Sequence, residues 1–261
     1  MIRRESGKKN LIALVISVVV AIAFIAIMGV FLKGSSVGIL LLGEMDASYY
    51  PFTLQNIMHM FFFIGLGQLI VRWIHAYEER VFMDKAGFLS VQKDVEYTTD
   101  KQLEEIQIRV ANTANSAFLP DLIDTSLNQY FKSKSISDTL SVMNSNLEME
   151  MNRMDLRYSM IRYVVWAIPT FGFIGTVIGI AQGLGSLDIN ELTGPNKAEF
   201  FATLTSKLSL AFNTTIIALS LSAVLVFLLH LIQKAEEEGI NESGQHVLRH
   251  LINKIKPEER S

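Results

Sequence analysis

Four long apolar runs, each free of Asp, Glu, Lys and Arg, constrain this sequence more than any other feature. They cover residues 11–32, 54–71, 163–182 and 208–232. A helix needs about 20 such residues to cross a bilayer core about 30 Å thick. The runs therefore predict four transmembrane helices. The first run is too long for a removable signal peptide and lacks a small-residue cleavage site, so we expect it to remain as an anchor.

The basic residues are distributed very unevenly between the segments that connect these runs. Twenty of the 23 Lys and Arg residues precede the first run, lie between the second and third runs, or follow the fourth. The loops 33–53 and 183–207 hold the other three, and loop 33–53, rich in turn residues, is too short to fold alone. The positive-inside rule then places both termini and residues 72–162 in the cytoplasm.

The segment between the second and third runs has the patterns of α-helices. Leu103, Ile106 and Val110 form one apolar face of a helix over 101–117, which Pro120 interrupts. Ser135 and Asp138 resemble a capping box that starts a helix running into the third span. No Pro or Gly follows until Pro169, and a continuous helix over that stretch would be roughly 50 Å long. The charged residues of this segment are interpreted as a solvated face.

These patterns together predict an all-α membrane protein, with four transmembrane helices and long cytoplasmic helical extensions. The chain divides into four predicted parts: a hairpin of spans 1 and 2 over 1–74, cytoplasmic helices over 75–160, a hairpin of spans 3 and 4 over 161–235, and a cytoplasmic tail over 236–261.

Small residues recur along the third span at spacings of three and four, so they share one face of the helix. They are Gly172, Gly175, Thr176, Gly179 and Gly183. Such a face lets another backbone approach closely, and helix packing alone is enough to explain the glycines. The Thr176 hydroxyl could in addition contact an ion or a partner side chain.

The fourth span carries several hydroxyl groups, among them Thr214 and Thr215. Such hydroxyls often bond to carbonyls of their own helix, which is the simpler interpretation. The depth of the hydroxyls favours a second interpretation, a polar ring in an otherwise apolar bundle. Thr176 and Thr215 lie six and seven residues from the outer ends of their spans, so both lie roughly 10 Å below the outer surface. Since the spans contain no carboxylate, a titrating acid for an ion pathway must come from a partner helix.

Two motifs in these spans carry a family resemblance. Residues 169–179, which begin at Pro169, resemble the signature Pro-x-x-Gly-x-x-Gly-Thr-Val-x-Gly, and 211–219 resemble a second signature with a Thr in an Ala/Leu-rich helix start. On these motifs the chain is similar to the MotA/TolQ/ExbB family of ion-driven motor subunits, over about residues 155–235.

The resemblance implies a homopentamer in the bacterial inner membrane, surrounding two single-span partners of the ExbD/TolR/MotB kind. Each partner carries an Asp that binds and releases the ion, and Thr176 and Thr215 match the threonines beside it. The ion would be H⁺, or Na⁺ because the Thr214–Thr215 hydroxyls could replace part of its water shell. Four spans match MotA, whereas the motifs are closer to ExbB and TolQ; the acidic residue of ExbB's last helix falls at Leu210.

Other classes of function find little support in the sequence. There is no cysteine, no nucleophile–base arrangement and no phosphate-binding loop, so we expect no enzyme and no further cofactor. His246 and His250 lack a third ligand, so we expect no metal site, and no pattern indicates nucleic-acid binding. Two alternatives to the motor stay open: a membrane scaffold or signalling protein with partner-binding cytoplasmic helices, and an autonomous channel.

Overall fold

The computed structural model describes residues 2–45, 50–85, 87, 89, 96–112, 117–185 and 197–256. These residues are almost entirely helical, which confirms the predicted all-α fold. The helices are α1 (Ile2–Phe31), α2 (Ser36–Leu42), α3 (Leu54–Lys85), α4 (Asp100–Ala111), α5 (Phe118–Ser133), α6 (Ile136–Gly185) and α7 (Lys197–His250), followed by a 3₁₀ turn over Ile252–Lys254. Within these ranges no strand forms, and Tyr97 and Ile255 pair only as an isolated bridge.

Four of the described helices, α1, α3, α6 and α7, are long and apolar enough to cross a membrane. Helices α3, α6 and α7 each contain one of the charge-free runs, and α1 contains all of the first run except its last residue. Between 17% and 28% of the residues in their most apolar windows are buried within the chain. The remaining apolar surface therefore needs lipid or another protein to cover it.

Hydrogen bonds at the starts of α6 and α2 show which residues cap these helices. The Asp138 amide donates to the Ser135 hydroxyl at 3.2 Å, so Ser135 caps α6 as predicted. Loop 33–53 contains the short helix α2, which was not predicted from the sequence; the Gly38 amide donates to the Ser35 hydroxyl at 3.0 Å, so Ser35 caps α2. In the sequence Asn196 and Glu199 have the spacing of a second capping signal, for the start of α7, but Asn196 lies outside the described residues.

The chain forms two compact units. The first, here the span unit, comprises Arg3–Val71 and Ser159–His230. It contains almost all of the four charge-free runs. Its interior is apolar and closely packed: Met58, Leu69, Ile168, Ala218 and Leu225 are fully buried. At Gly65 of α3 the missing side chain makes room for Leu225 of α7 and Val164 of α6.

The second unit, here the extension unit, comprises Arg72–Tyr158 and Leu231–Ser261. The predicted apolar face of α4 is buried in its core, with Leu103, Ile106 and Val110 at most 3% exposed. The same core includes apolar residues of α5, α6, the end of α7 and the segment after it: Leu119, Leu122, Ile123, Leu127, Tyr130, Met143, Val247, Leu251, Ile252 and Ile255. The four-part division stays a prediction.

Candidate functional site

The contact between α6 and α7 in the span unit is closer than most side chains would allow. A Cβ atom on Gly172 would overlap the Cβ of Ala218. On Gly175 it would lie 2.5 Å from the Thr214 hydroxyl oxygen, and on Gly179 it would lie 2.5 Å from the Ala211 Cβ. Glycine is therefore required at all three positions for this approach. Gly183 is less confined, since its nearest such neighbour, a Leu204 methyl, is 3.3 Å away.

Two of the predicted pathway residues meet across this contact. The hydroxyl groups of Thr176, on α6, and Thr215, on α7, are hydrogen-bonded to each other. The Gly172 carbonyl oxygen lies 3.2 Å from the Thr176 hydroxyl and 3.1 Å from that of Thr215. The Thr176 hydroxyl is also 3.3 Å from the Ala211 carbonyl oxygen. Both threonines are partly exposed on the surface of the chain. The matched depth inferred from the sequence thus corresponds to direct contact.

Thr214 differs from its neighbour Thr215 in its surroundings. It is only 4% exposed. Its hydroxyl donates to the Ala211 carbonyl at 2.7 Å and lies 3.3 Å from the Gly172 carbonyl. Thr214 therefore lies inside the α6–α7 contact, where it fills the space beside Gly175. Its place in an ion pathway stays a prediction.

Pro169 lies inside α6 without ending it. Because proline has no amide proton, the carbonyl four residues earlier, that of Val165, loses its helical hydrogen bond. The Ser222 hydroxyl of α7 donates to this carbonyl at 3.2 Å. Sequence reasoning missed this role of Ser222. The proline itself was the available signal, since a carbonyl freed in an apolar environment needs another donor, and a hydroxyl on a neighbouring helix can provide it.

These residues fall within the region that matches a known family. A model of the MotA/TolQ/ExbB proton channel family matches residues 111–243, just over half of the chain. This chain belongs to the MotA/TolQ/ExbB family. The family match begins well before residue 155, where the resemblance in the sequence motifs began, and so includes α5 and the first part of α6. No curated protein and no solved structure matches the chain at a significant level.

Membership in the MotA/TolQ/ExbB family has three consequences. Its members are channel and motor subunits, not enzymes. They work with single-span partner proteins. Together with the four apolar helices, the family identifies this chain as a membrane protein. The matched region contains all three threonines and the glycines of the α6–α7 contact.

A second polar cluster lies in the extension unit of this MotA/TolQ/ExbB family member. The Arg72 guanidinium is 3.4 Å from Glu236, and the Tyr158 hydroxyl donates to the other oxygen of that carboxylate at 2.9 Å. Arg157 is 3.9 Å from Glu236 and is also paired with Glu150. Arg72 and Tyr158 are buried. The interpretation of the charges in 72–162 as a solvated face is therefore wrong for Arg72.

Proposed function

We propose that this chain is the channel-forming subunit of a motor in the bacterial inner membrane that is driven by the ion-motive force. Together with a single-span, Asp-bearing partner of the ExbD/TolR/MotB kind, it couples the flow of H⁺, or of Na⁺, to rotation and mechanical work on the cell envelope. Family membership supports the general class. The observation that carries the proposal is the partly exposed Thr176–Thr215 pair in a bundle without a carboxylate of its own.

The proposed assembly is a homopentamer around two partner helices, with both termini in the cytoplasm. The distribution of Lys and Arg supports this orientation. The apolar surface left exposed on α1, α3, α6 and α7 supports an assembly in which lipid and further subunits cover these helices. Counting subunits after co-purification with the product of a neighbouring gene tests this proposal. That gene should encode one membrane span with a central Asp.

Within the proposed pathway, Thr176 and Thr215 have the role of ligands for the partner's Asp or for the ion. Their hydroxyl oxygens are polar atoms in an apolar bundle, where a polar contact has few competitors. Thr214 has a supporting role, since its buried hydroxyl links the two helices next to the pair. Ser222 supports the helix in the same way at Pro169.

Valine substitutions at the pair test the proposal. Thr176→Val and Thr215→Val keep the side-chain shape and remove the hydroxyl, so we expect assembly with the partner to survive while ion flux and coupled work fall at least tenfold. Thr170→Val is the matched control on α6, because Thr170 is partly exposed like the pair, and its hydroxyl donates to the Trp166 carbonyl of its own helix at 3.0 Å.

The measurement is potential-driven ion flux into vesicles that contain the chain and its partner. Full flux in both valine variants would show that the pathway assignment is wrong. Vesicles that contain the chain without its partner distinguish the motor subunit from an autonomous channel, since the motor subunit should then pass no ions.

A further inference from the structure

We infer that the Thr176–Thr215 pair is an acceptor site, which binds the protonated carboxyl group of a partner helix and not its carboxylate. The inference rests on the proposed function, since it takes the partner's Asp as the ligand. It goes further by stating which protonation state is bound. The argument begins with the protons of the three hydroxyl groups that meet beside Gly172.

Each of these hydroxyl protons has an acceptor within the α6–α7 contact. The Thr214 proton goes to the Ala211 carbonyl, at 2.7 Å. One proton of the Thr176–Thr215 pair forms the bond between the two hydroxyls. The other has the Gly172 carbonyl at 3.1 Å if it belongs to Thr215, or the Gly172 carbonyl at 3.2 Å and the Ala211 carbonyl at 3.3 Å if it belongs to Thr176.

Either Thr176 or Thr215 can be the donor in the bond between the two hydroxyls. In both cases each hydroxyl proton has an acceptor within the α6–α7 contact. Both hydroxyl protons of the pair are therefore used in bonds within the α6–α7 contact. What the pair can offer to a ligand is the lone pairs of its two oxygens, which accept hydrogen bonds. To donate to an approaching carboxylate, one hydroxyl would have to turn away from its partner. That loss is greater in an apolar environment than in water, because no water replaces the broken bond.

An acceptor site distinguishes the two forms of a carboxyl group. The protonated form has one O–H that can donate to a threonine oxygen, whereas the carboxylate has only acceptors and would face the lone pairs of the pair. The pair should therefore hold the partner's Asp while it carries its proton and release it once the proton has left. In this way the hydroxyls would make the contact between partner and channel depend on the ion.

A synthetic membrane-spanning peptide of mostly leucine, with one central Asp, serves as the probe. Two matched peptides carry Asn or Leu at that position. The full chain and one labelled peptide are placed in phosphatidylcholine vesicles at low peptide density, and binding is followed by energy transfer between pH 5 and pH 9 in potassium and in sodium salts. We expect the Asp peptide to bind at least about tenfold more tightly at low pH, which corresponds to about 1.4 kcal/mol. The Asn peptide should bind equally at every pH.

The variants locate the effect. The double variant Thr176→Val/Thr215→Val should lose the gain at low pH, whereas Thr170→Val should keep it. Tighter binding of the Asp peptide at high pH would overturn the inference, as would tighter binding that appears only with sodium. Binding of the Asn peptide, together with no pH effect for Asp, would overturn the inference but leave the proposed function intact. If neither polar peptide binds better than the Leu peptide, both fail.

Discussion

The helices α6 and α7 pack against each other in both units, but by different chemistry. In the span unit the contact is made of glycine, alanine and threonine, and its polar groups are hydroxyls and backbone carbonyls. In the extension unit the same two helices meet through a glutamate, a tyrosine and an arginine, and a leucine covers Gly244. The difference follows from the two environments, as expected for a helix that leaves a membrane.

Each environment favours its own kind of contact. Lipid tails provide no hydrophobic driving force between helices, so close packing and neutral hydrogen bonds must hold them together, and full charges are costly. In the extension unit burial of apolar side chains provides the stability, and a charged pair can be held where it is well bonded. We call the α6–α7 contact in the span unit the span contact, and the α6–α7 contact in the extension unit the extension contact. We therefore expect the span contact to tolerate added side-chain volume poorly and the extension contact to tolerate it well.

The largest effect is expected from added volume in the span contact. Gly179→Val should destabilise the span unit by about 3 kcal/mol or more, because the atoms in the way belong to the Cβ and backbone of Ala211 and cannot rotate aside. Thermal unfolding in detergent micelles, followed by circular dichroism, measures it. Gly185→Val on the same helix is the control, since no atom of the described residues beyond its own stretch of helix lies within 4 Å of the added Cβ. Equal melting temperatures for the two variants would contradict the comparison.

The next effect concerns the charged contact of the extension unit. Arg72→Met should cost about 2 kcal/mol, less than the roughly 3–5 kcal/mol for an isolated buried charge, because Tyr158 and Arg157 still contact Glu236. Unfolding of the extension unit by denaturant provides the measurement. A second change, Glu236→Gln, should recover part of the loss. Lys234→Met, which breaks the exposed pair with Glu238, should change the stability by less than about 1 kcal/mol.

Many features of the two units could be predicted from local sequence patterns. The four spans followed from runs of apolar residues, the start of α6 from Ser135 and Asp138, and the buried face of α4 from the spacing of Leu103, Ile106 and Val110. The sequence predicted that Thr176 and Thr215 lie at a similar depth in the membrane, but it did not predict that their hydroxyl groups are in contact. Each of these signals depends on a few neighbouring residues, which is why one sequence is sufficient to read them.

The missed features depend on long-range contacts or on small energetic differences. Arg72 and Glu236 are separated by 164 positions, and no local pattern links them. Thr214 and Thr215 are adjacent in sequence, yet only the approach of α6 makes one of them buried. Helix α2 has seven residues, too few for a periodic pattern, and depends on the cap at Ser35. From the sequence alone, this segment could not be distinguished from an irregular loop.

A smaller effect is expected from added volume in the extension contact. The new methyl group in Gly244→Ala would meet Leu147, whose Cδ1 lies 2.7 Å from the added Cβ. This is the far end of a flexible side chain, which can change rotamer, so we expect a loss of about 1 kcal/mol. The matched comparison is Gly179→Ala in the span contact, measured in the same unfolding experiment. A loss at Gly244 larger than that at Gly179 would contradict the proposed difference in tolerance.

The smallest effect has the opposite sign. Gly239 lies within α7 in the extension unit, and in the described part of the chain nothing beyond the neighbouring turns of α7 lies within 4 Å of an added Cβ. Gly239→Ala should therefore stabilise the extension unit by about 0.5 kcal/mol, since glycine is a poor helix former. Denaturant unfolding of monomeric chain in micelles tests this intrinsic effect. If the same change then destabilised the assembled protein, another subunit or a partner would be packed against Gly239. The close glycine contact typical of the span unit would in that case recur in the extension unit, between chains and not within one.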